Sequence, residues 1–586
     1  MPAYQLHIAQ PQEIQKEEQR RRQLREELDL CTNIKGTIRN KIYPFLVSSG
    51  VEHLAEIDYP LRMQYKTYVR QNFLQKNQVT MLNAFDRIKQ HAMWEAQKTL
   101  AGKKKYTLKY ENELVFLKYL PDREIADKFI LIQNQTTLLW DFRIPCSELI
   151  KQQIFRAICS VSREKKSTES RTLALIGLKY LYRFCIKARI QDIEMMGLDE
   201  KKKFMEFISQ TESNEKNGKR MFGMVEWIQK HEFLDAKEIH WYTDTWYLER
   251  IHISEARINE SSPTISLTFE DVKNPQNREF LKKYIKYLIA VSDLAVSNIR
   301  NKSMYIRGYL GFLDEQKITA TELTKEIFEI YTGRLFEKEM QPGSFNAELL
   351  AIVQFYNFLL VRGEIANMPF RPNDYLQKRV DVHHDRSVEE DVSREIISKL
   401  RYFPEHLRLM YLHLWGIGLR ASEVCTLKGN AYEWDGMDAW IKLWQPKMRS
   451  YKRVPIPEIL YRLMDIYMKK YAIEADEYLF PNANGGAFRY ATLRSQMLRY
   501  CDENQINGGE YIFQSHDYRH NVATEFYDGG VPLSSVRDYH GHTYDEMTLQ
   551  YIDHMPARVE KASETVFKNP ENNLASELLK EAMHKE

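Results

Sequence analysis

The sequence predicts a mainly α-helical protein that is divided into several domains. Apolar residues recur at helical spacing in four stretches between residues 265 and 370, namely 280–290, 297–313, 322–336 and 345–362. Two long amphipathic segments, 173–190 and 349–365, each follow a polar break and carry an aromatic pair, which suggests a duplicated module. Strand-like alternation is short and is found at 106–120, 439–445 and 453–456.

The composition of the chain argues against several classes of protein. The chain has 586 residues, with 84 Lys and Arg against 81 Asp and Glu, so a net charge of +3 does not by itself indicate a polyanionic partner. Its six cysteines are far apart and form no CxxC pair, which argues against a disulfide scaffold and a zinc finger. The N-terminus has no apolar segment behind its charges, and the stretch 349–361 is shorter than the roughly 20 residues of a membrane crossing. We therefore expect a cytoplasmic protein in which 349–361 is a buried helix.

The N-terminal region offers two interpretations. Residues 16–28 mix both charge signs at helical spacing, which is typical of a solvated helix held by pairs one turn apart. A basic arm that reaches DNA through Arg20, Arg21, Arg22 and Arg25 is the alternative. Alternation at 106–120 predicts one or two short strands, so we expect this region to close with a small hairpin.

The segment GLRASE at 418–423 is the first motif with chemical content. An apolar helix is predicted to end at Gly416 and Gly418, with Arg420 at the start of the next helix and Glu423 three residues later. A guanidinium at a helix start can donate to two phosphate oxygens at once. A surface arginine paired with Glu423 would explain the motif equally well if it stood alone.

Basic residues are also predicted at the tip of a hairpin. Residues 439–445 and 453–456 are expected to form two strands joined by a turn that carries Lys447, Arg449 and Lys452. A lysine at such a tip can enter a minor groove and can donate a proton. A solvated basic turn is the alternative.

Histidine, arginine and tyrosine follow at regular intervals. In HDYRH, at 516–520, His516 and Arg519 share one face at a helix N-terminus, where free N–H groups favour an anion. His542 follows Gly541, and Tyr551 comes nine residues after His542. A polar capping turn and a packing tyrosine are the alternatives for these motifs taken singly.

Together, GLRASE, QPKMRSYKRVP, HDYRH and the Gly-His pair with its tyrosine resemble the tyrosine recombinase, or phage integrase, family. Five or six residue types in a fixed order and spacing are far less expected by chance than any single motif. The resemblance covers about 388–568 strongly and 265–370 moderately, and leaves the first 260 residues outside. The length of the chain is similar to that of large integrases or transposases of bacterial mobile elements.

The resemblance implies how the scissile phosphate would be held. Arg420 and Arg519 would clamp it, and His516 and His542 would donate hydrogen bonds and assist proton transfer at the nucleophile. Glu423 would hold the arginine or its helix in place. His540 stands where the family usually has leucine, which raises the question of which histidine faces the phosphate, and the spacing favours His542.

The resemblance also implies the two groups that react. Tyr551 would attack phosphorus and form a 3′-phosphotyrosyl link, while Lys447 would protonate the 5′-hydroxyl leaving group. Lys452 lies on the same predicted turn, although the interval to Pro455 favours Lys447. No metal and no cofactor are implied. A metal hydrolase built on the histidines would leave Tyr551 without a role, whereas a host Xer-like recombinase or a type IB topoisomerase would share the chemistry.

By the same resemblance, a helical core-binding bundle and a mostly helical catalytic domain with a small antiparallel β-sheet would form a C-shaped clamp on duplex DNA. The implied function is site-specific recombination for integration or excision of a mobile element, by a homo-tetramer on two duplexes and with companion or accessory proteins where needed. The predicted regions are 1–110 (N-terminal, with the charged helix and hairpin), 111–215 (helical module, a core-binding-like repeat), 216–264 (connecting segment), 265–370 (core-binding helical domain), 371–387 (linker), 388–568 (catalytic domain) and 569–586 (C-terminal helix that docks on a partner).

Overall fold

The computed structural model of the chain describes residues 11–110, 113–212, 214–378, 386–549 and 551–552. The chain divides into two compact units, Met1–Arg250 and Ile251–Glu586. The division falls inside the segment 216–264, which the sequence suggests as a connection. Most described residues are helical, so the prediction of a mainly α-helical protein is confirmed.

The first unit begins with five helices, of which the first four surround an apolar core. In this core the Tyr65 and Phe85 rings stack with their centroids 4.2 Å apart. They are α1 (Pro11–Leu30), α2 (Gly36–Ser48), α3 (Tyr59–Asn72), α4 (Gln75–Ala96) and α5 (Leu100–Lys105). The charged segment 16–28 lies in α1, where Arg20 and Arg21 both pair with Glu17. These pairs one turn apart favour the solvated helix over the basic arm.

A second core occupies the rest of this unit. Its helices and strands are β1 (Leu114–Phe116), α6 (Arg123–Phe129), α7 (Gln135–Leu138), β2 (Leu139–Asp141), α8 (Glu148–Glu164), α9 (Thr168–Ala188), α10 (Leu198–Ser209), α11 (Glu215–Phe222), α12 (Met224–Asp235) and β3 (Thr245–Tyr247). The strand expected at 106–120 is present as β1, but it pairs with β2, with Val115 opposite Trp140, rather than within a local hairpin. Alternation predicts a strand and not its partner, which here is chosen by burial of Trp140 in the shared core.

The second unit opens with a four-helix module that follows the short strand β4 (Ser266–Thr268). Its helices are α13 (Pro275–Val291), α14 (Val296–Gln316), α15 (Lys325–Glu337) and α16 (Pro342–Val361), which overlap the four predicted stretches. Inside it, the buried Tyr309 and Tyr356 hydroxyls are 2.7 Å apart. Of the described helices, α16 alone is long and apolar enough to suit a membrane span, and Leu349 and Phe355 on it are fully buried in this fold.

The remaining described residues form a helical domain with one antiparallel sheet in the order β5-β6-β7. The elements are α17 (Glu390–Lys399), α18 (Glu405–Ile417), α19 (Ala421–Cys425), β5 (Tyr432–Trp434), β6 (Ala439–Gln445), β7 (Ser450–Ile456), α20 (Glu458–Tyr471), α21 (Tyr490–Glu503), α22 (Asp517–Asp528), α23 (Leu533–His540) and α24 (Asp545–Leu549). The second strand of the hairpin begins earlier than predicted, so Lys452 lies in β7 and not in the turn. Cross-strand packing of Tyr451 on Trp444, at 5.1 Å, accompanies this extension of the ladder toward the turn.

Three predicted regions lie wholly or partly outside the described residues. The C-terminal helix at 569–586 and the end of the catalytic region, 553–568, lie outside the described residues, as does the part of the linker at 379–385. The proposed duplication of the segments now seen as α9 and α16 stays a prediction.

Candidate active site

The first motif joins α18 to α19 and holds Arg420 against Glu423. Gly418 ends α18 with a φ of +62°, and a Cβ at this position would lie 3.0 Å from the His540 ring. Arg420 is the N-cap of α19, and the Glu423 carboxylate accepts hydrogen bonds from its backbone N–H at 2.9 Å and from Nη1 at 2.8 Å. Glu423 is therefore the acid of a capping arrangement that also orients the guanidinium.

Glu423 is buried among cations. Its exposed fraction is 1%, and burial alone would raise its pKa, but the charges of Lys452, Arg519 and Arg420 outweigh burial and lower the pKa to about 2. Lys452 Nζ lies 3.9 Å from Glu423 Oε2. Because one carboxylate faces three cations, the cluster keeps an excess of positive charge, which suits an anionic ligand.

Arg519 lies on the first turn of α22 and is fully buried. Its Nη1 donates to the Gly418 carbonyl at 2.9 Å, and its Nη2 donates to the His540 carbonyl at 2.5 Å. Both carbonyls lie at C-terminal ends of helices, where free C=O groups carry partial negative charge. Burial and the charge of Arg420 lower the pKa of Arg519 to about 10, so the guanidinium stays protonated at neutral pH.

Of the two histidines around Gly541, His542 contacts the arginine. His542 Nε2 lies 2.9 Å from Arg519 Nη2, and because a guanidinium can only donate, Nε2 accepts while Nδ1 donates to Thr548 Oγ1 at 3.0 Å. The His540 ring is fully buried, and neither of its nitrogens has a hydrogen-bond partner among the described residues. His540 thus occupies a core position, as a leucine would, and contributes its carbonyl. This arrangement supports the preference for His542.

Tyr551 follows α24 and lies among these side chains in its own chain. Its ring centroid is 4.6 Å from that of His520, 4.9 Å from that of His542 and 5.1 Å from that of His516. The Arg519 guanidinium carbon is 5.5 Å from the tyrosine ring centroid. The motifs at the helix N-termini, the Gly-His pair and the tyrosine are therefore close together in the fold.

Two of the histidines beside the tyrosine, His516 and His542, are neutral at neutral pH. Partial burial and the charges of His520 and Arg519 lower the pKa of His516 to about 4, while burial and Arg519 lower that of His542 to about 3. A neutral imidazole can accept a proton, and a bound anion would raise both pKa values. In the described part of the chain, no group of three or more His, Cys, Asp or Glu side chains is arranged to hold a metal ion.

The two lysines of the hairpin differ in their surroundings. Lys447 lies in the turn at 446–449 and is exposed overall, but partial desolvation of its ammonium group and the charges of Arg420 and Arg519 lower its pKa. Lys452 is only 5% exposed, and burial lowers its pKa to about 8. The structure therefore brings Lys452 into the buried cluster and leaves Lys447 at the edge of the cluster.

Three buried donors of this cluster have no hydrogen-bond partner among the described residues. They are Arg420 Nη2, Lys452 Nζ and Arg519 Nε. An unsatisfied buried polar group costs about 1–3 kcal/mol, and more when it is charged, so such groups call for an explanation. A phosphate group carries negative charge and several acceptor oxygens, which these donors would satisfy.

Two further residues contribute to the site, although the sequence assigned them no role. Gln445 ends β6, is 2% exposed, and donates from Nε2 to Glu423 Oε1 at 3.0 Å. Thr548 is fully buried, and its carbonyl accepts the Tyr551 backbone N–H at 2.9 Å. Gln445 is the first residue of QPKMRSYKRVP, and it is also a polar residue at the inward position of a strand whose other inward residues are apolar. Nothing in the sequence distinguished Thr548.

Gly541→Ala is expected to destabilise the domain. The backbone at Gly541 has a φ of +64°, and a Cβ there would lie 2.4 Å from Gln445 Oε1. The left-handed backbone alone should lower the free energy of unfolding by about 1–2 kcal/mol, and displacement of the buried amide should add to this loss in urea denaturation. Gly485→Ala is the matched control, because Gly485 has a φ of +82° with nothing within 4 Å of the added Cβ. Equal losses in the two variants would contradict the steric contribution.

Part of this chain is similar to known proteins. Residues 386–558 match the phage integrase family. Transposase B from transposon Tn554 of Staphylococcus aureus strain Mu50 is 26% identical over 331 residues, which cover 54% of this chain and 52% of that protein. Tyrosine recombinase XerC of Chlorobaculum parvum is 24% identical over 318 residues, which cover 47% of this chain and 92% of that protein.

The chain spans about half the length of the Tn554 relative. A solved structure of the XerH site-specific recombinase bound to palindromic difH substrate has 14% identity and a TM-score of 0.40, covering 51% of this chain and 90% of that one. The matched range 386–558 contains every motif that the fold brings together, from Arg420 to Tyr551. Residues 386–558, which contain these motifs, are thus similar to the phage integrase family.

Proposed function

We propose that the protein is a site-specific DNA recombinase that cuts and rejoins strands through a 3′-phosphotyrosyl intermediate. The observation that carries this proposal is the position of Tyr551 beside Arg519, in a cluster of three cations that each have one buried donor without a hydrogen-bond partner among the described residues. A phosphodiester is anionic and has a poor alkoxide leaving group. Its cleavage therefore needs cations at the nonbridging oxygens, a nucleophile and an acid for the departing oxygen. The site contains candidates for each of these groups.

In the first step, Arg420 Nη2 and Arg519 Nε would donate to the nonbridging oxygens of the scissile phosphate. The Tyr551 hydroxyl would attack phosphorus, and a neutral histidine would accept its proton. His516 and His542 are the candidates, since both flank the tyrosine ring. The bond between phosphorus and the 5′-oxygen would break.

In the same step, the departing 5′-oxygen would take a proton from a lysine. Lys447 is the candidate by its spacing, and its place in the exposed turn would let it reach a bound duplex. A 5′-hydroxyl from a second strand would later attack the phosphotyrosine and release Tyr551. Because the covalent intermediate keeps the energy of the original bond, the exchange would need no ATP.

Similarity to the Tn554 transposase supports a role in integration or excision of a mobile element. In this proposal, residues 265–370 are the core-binding domain and 388–568 the catalytic domain, and together they clamp duplex DNA at specific sites. The active assembly is a homo-tetramer on two duplexes, with accessory proteins where the element encodes them, located in the cytoplasm at the nucleoid. Affinity would rest on phosphate contacts and would fall steeply with salt.

Metal removal provides the direct test. Nicked duplexes that cover the DNA flanking the gene are incubated with the protein in excess EDTA, and adducts that survive denaturation are sought on a gel. We expect a protein–DNA adduct with the DNA attached through its 3′ end and a free 5′-hydroxyl on the released strand. Cleavage that appears only with added magnesium, with no DNA attached to protein, would contradict the proposal.

A further inference from the structure

Gln445 links the hydrogen bonds of Arg420 to those of Arg519. Its Nε2 donates to Glu423 Oε1 at 3.0 Å and lies 3.4 Å from the His540 carbonyl oxygen. Glu423 binds Arg420, and the His540 carbonyl accepts from Arg519. A continuous chain of hydrogen bonds therefore runs from one guanidinium to the other through a single neutral amide.

The hydrogen-bond partners of the Gln445 amide determine its orientation. Both of its partners are acceptors only, because Glu423 is ionised with a pKa of about 2 and the other partner is a backbone carbonyl. The NH₂ group must therefore face them. The amide oxygen lies toward Gly541, where a Cβ would be 2.4 Å away, so the close approach of Gln445 depends on the glycine of the Gly-His pair.

We propose that Gln445 is a positioning residue that sets the separation of Arg420 and Arg519 without adding charge to the phosphate site. This inference rests on the proposed function. A neutral donor suits the position, because a second carboxylate beside Glu423 would offset another cation of the cluster and weaken its attraction for phosphate. A methionine would fill the same volume but would leave the Glu423 and His540 oxygens without this donor.

The first test is Gln445→Met on a nicked duplex with which wild-type protein forms an adduct. Removal of such a supporting hydrogen bond typically costs about 10- to 100-fold, and we expect a loss of this size in the rate of adduct formation at saturating DNA. The Kd for DNA should change by less than about threefold, because affinity is spread over many phosphate contacts. A residue that only maintains the fold would lower thermal stability without this selective loss of rate.

Gln229→Met is the matched control. Gln229 is a buried glutamine of the first unit whose amide donates to the carbonyls of Ile193, Glu194 and Met196 at 3.0–3.2 Å. This variant should lose thermal stability like Gln445→Met but should keep the rate of adduct formation. The comparison separates a general effect of losing a buried amide from an effect on the arginine pair.

The second test is the pH profile of Gln445→Glu. Two adjacent carboxylates hold one proton more tightly than either would alone, and the protonated acid can donate as the amide does. Relative to wild type at each pH, this variant should be slower than Gln445→Met at pH 8 and should recover at least about tenfold toward pH 5.5. Gln445→Met should show no such recovery.

The outcomes separate the two proposals. Absence of any adduct with wild-type protein on all nicked duplexes would count against the recombinase itself. An adduct with wild type, together with a full rate for Gln445→Met or a flat relative pH profile for Gln445→Glu, would overturn the role of Gln445 alone. A selective loss of rate with acid recovery would support it.

Discussion

Tyr551→Phe is expected to abolish the covalent adduct and to leave DNA binding unchanged. Phenylalanine keeps the ring contacts with His516, His520 and His542 but removes the hydroxyl that we propose attacks phosphorus. Adduct formation should fall by at least about 10⁴-fold, as when a nucleophile is removed from other covalent enzymes. A nicked duplex and a denaturing gel measure the adduct, and a gel shift at fixed salt measures binding.

Tyr544→Phe is the control for this substitution. Tyr544 lies seven residues before Tyr551 and is 65% exposed, so the loss of its hydroxyl should change neither binding nor adduct yield. An adduct of normal yield with Tyr551→Phe would refute the nucleophile assignment.

The structure also predicts which subunit supplies the nucleophile. Because Tyr551 lies beside Arg519 of its own chain, cleavage should occur in cis. A mixture of Tyr551→Phe with Arg519→Lys, which keeps a charge but loses the planar fork, should therefore stay inactive. Recovery of adduct in the mixture would show that the tyrosine of one protomer enters the site of another.

The sequence predicted well the parts of the site that are formed by residues close together in the chain. The signals for these parts are short motifs. GLRASE specifies a glycine that ends one helix and an arginine and glutamate that cap the next, and the structure contains this arrangement. The interval between the Gly-His pair and the tyrosine likewise reflects one short helix, α24, between them. Such features depend on neighbours within about one or two helical turns.

Features that depend on distant residues were not predictable in the same way. The burial of Lys452 follows from where β7 begins and from Glu423 on another element, and the role of Gln445 follows from a carbonyl at the end of α23. The partner of β1 was missed for the same reason, since tertiary packing selects it. His540 shows the opposite case, in which a residue with suggestive chemistry occupies a core position.

The two lysines of the hairpin should respond differently to a better leaving group. Lys447→Ala is expected to slow cleavage of an ordinary duplex by about 10²- to 10⁴-fold, the usual contribution of a general acid. A substrate with sulfur in place of the bridging 5′-oxygen needs no such acid, because a thiolate leaves readily, and it should restore most of the rate. Single-turnover cleavage of the two duplexes measures the ratio.

Lys452→Ala provides the comparison on which the assignment depends. Lys452 lies buried 3.9 Å from Glu423, so its loss should weaken the positive field at the phosphate for either leaving group, and sulfur should not restore the rate. Its pKa of about 8 would nevertheless suit proton donation near neutral pH, which makes the experiment decisive. Rescue of Lys452→Ala and not of Lys447→Ala would make the buried lysine the acid and would limit Lys447 to contacts with the DNA backbone.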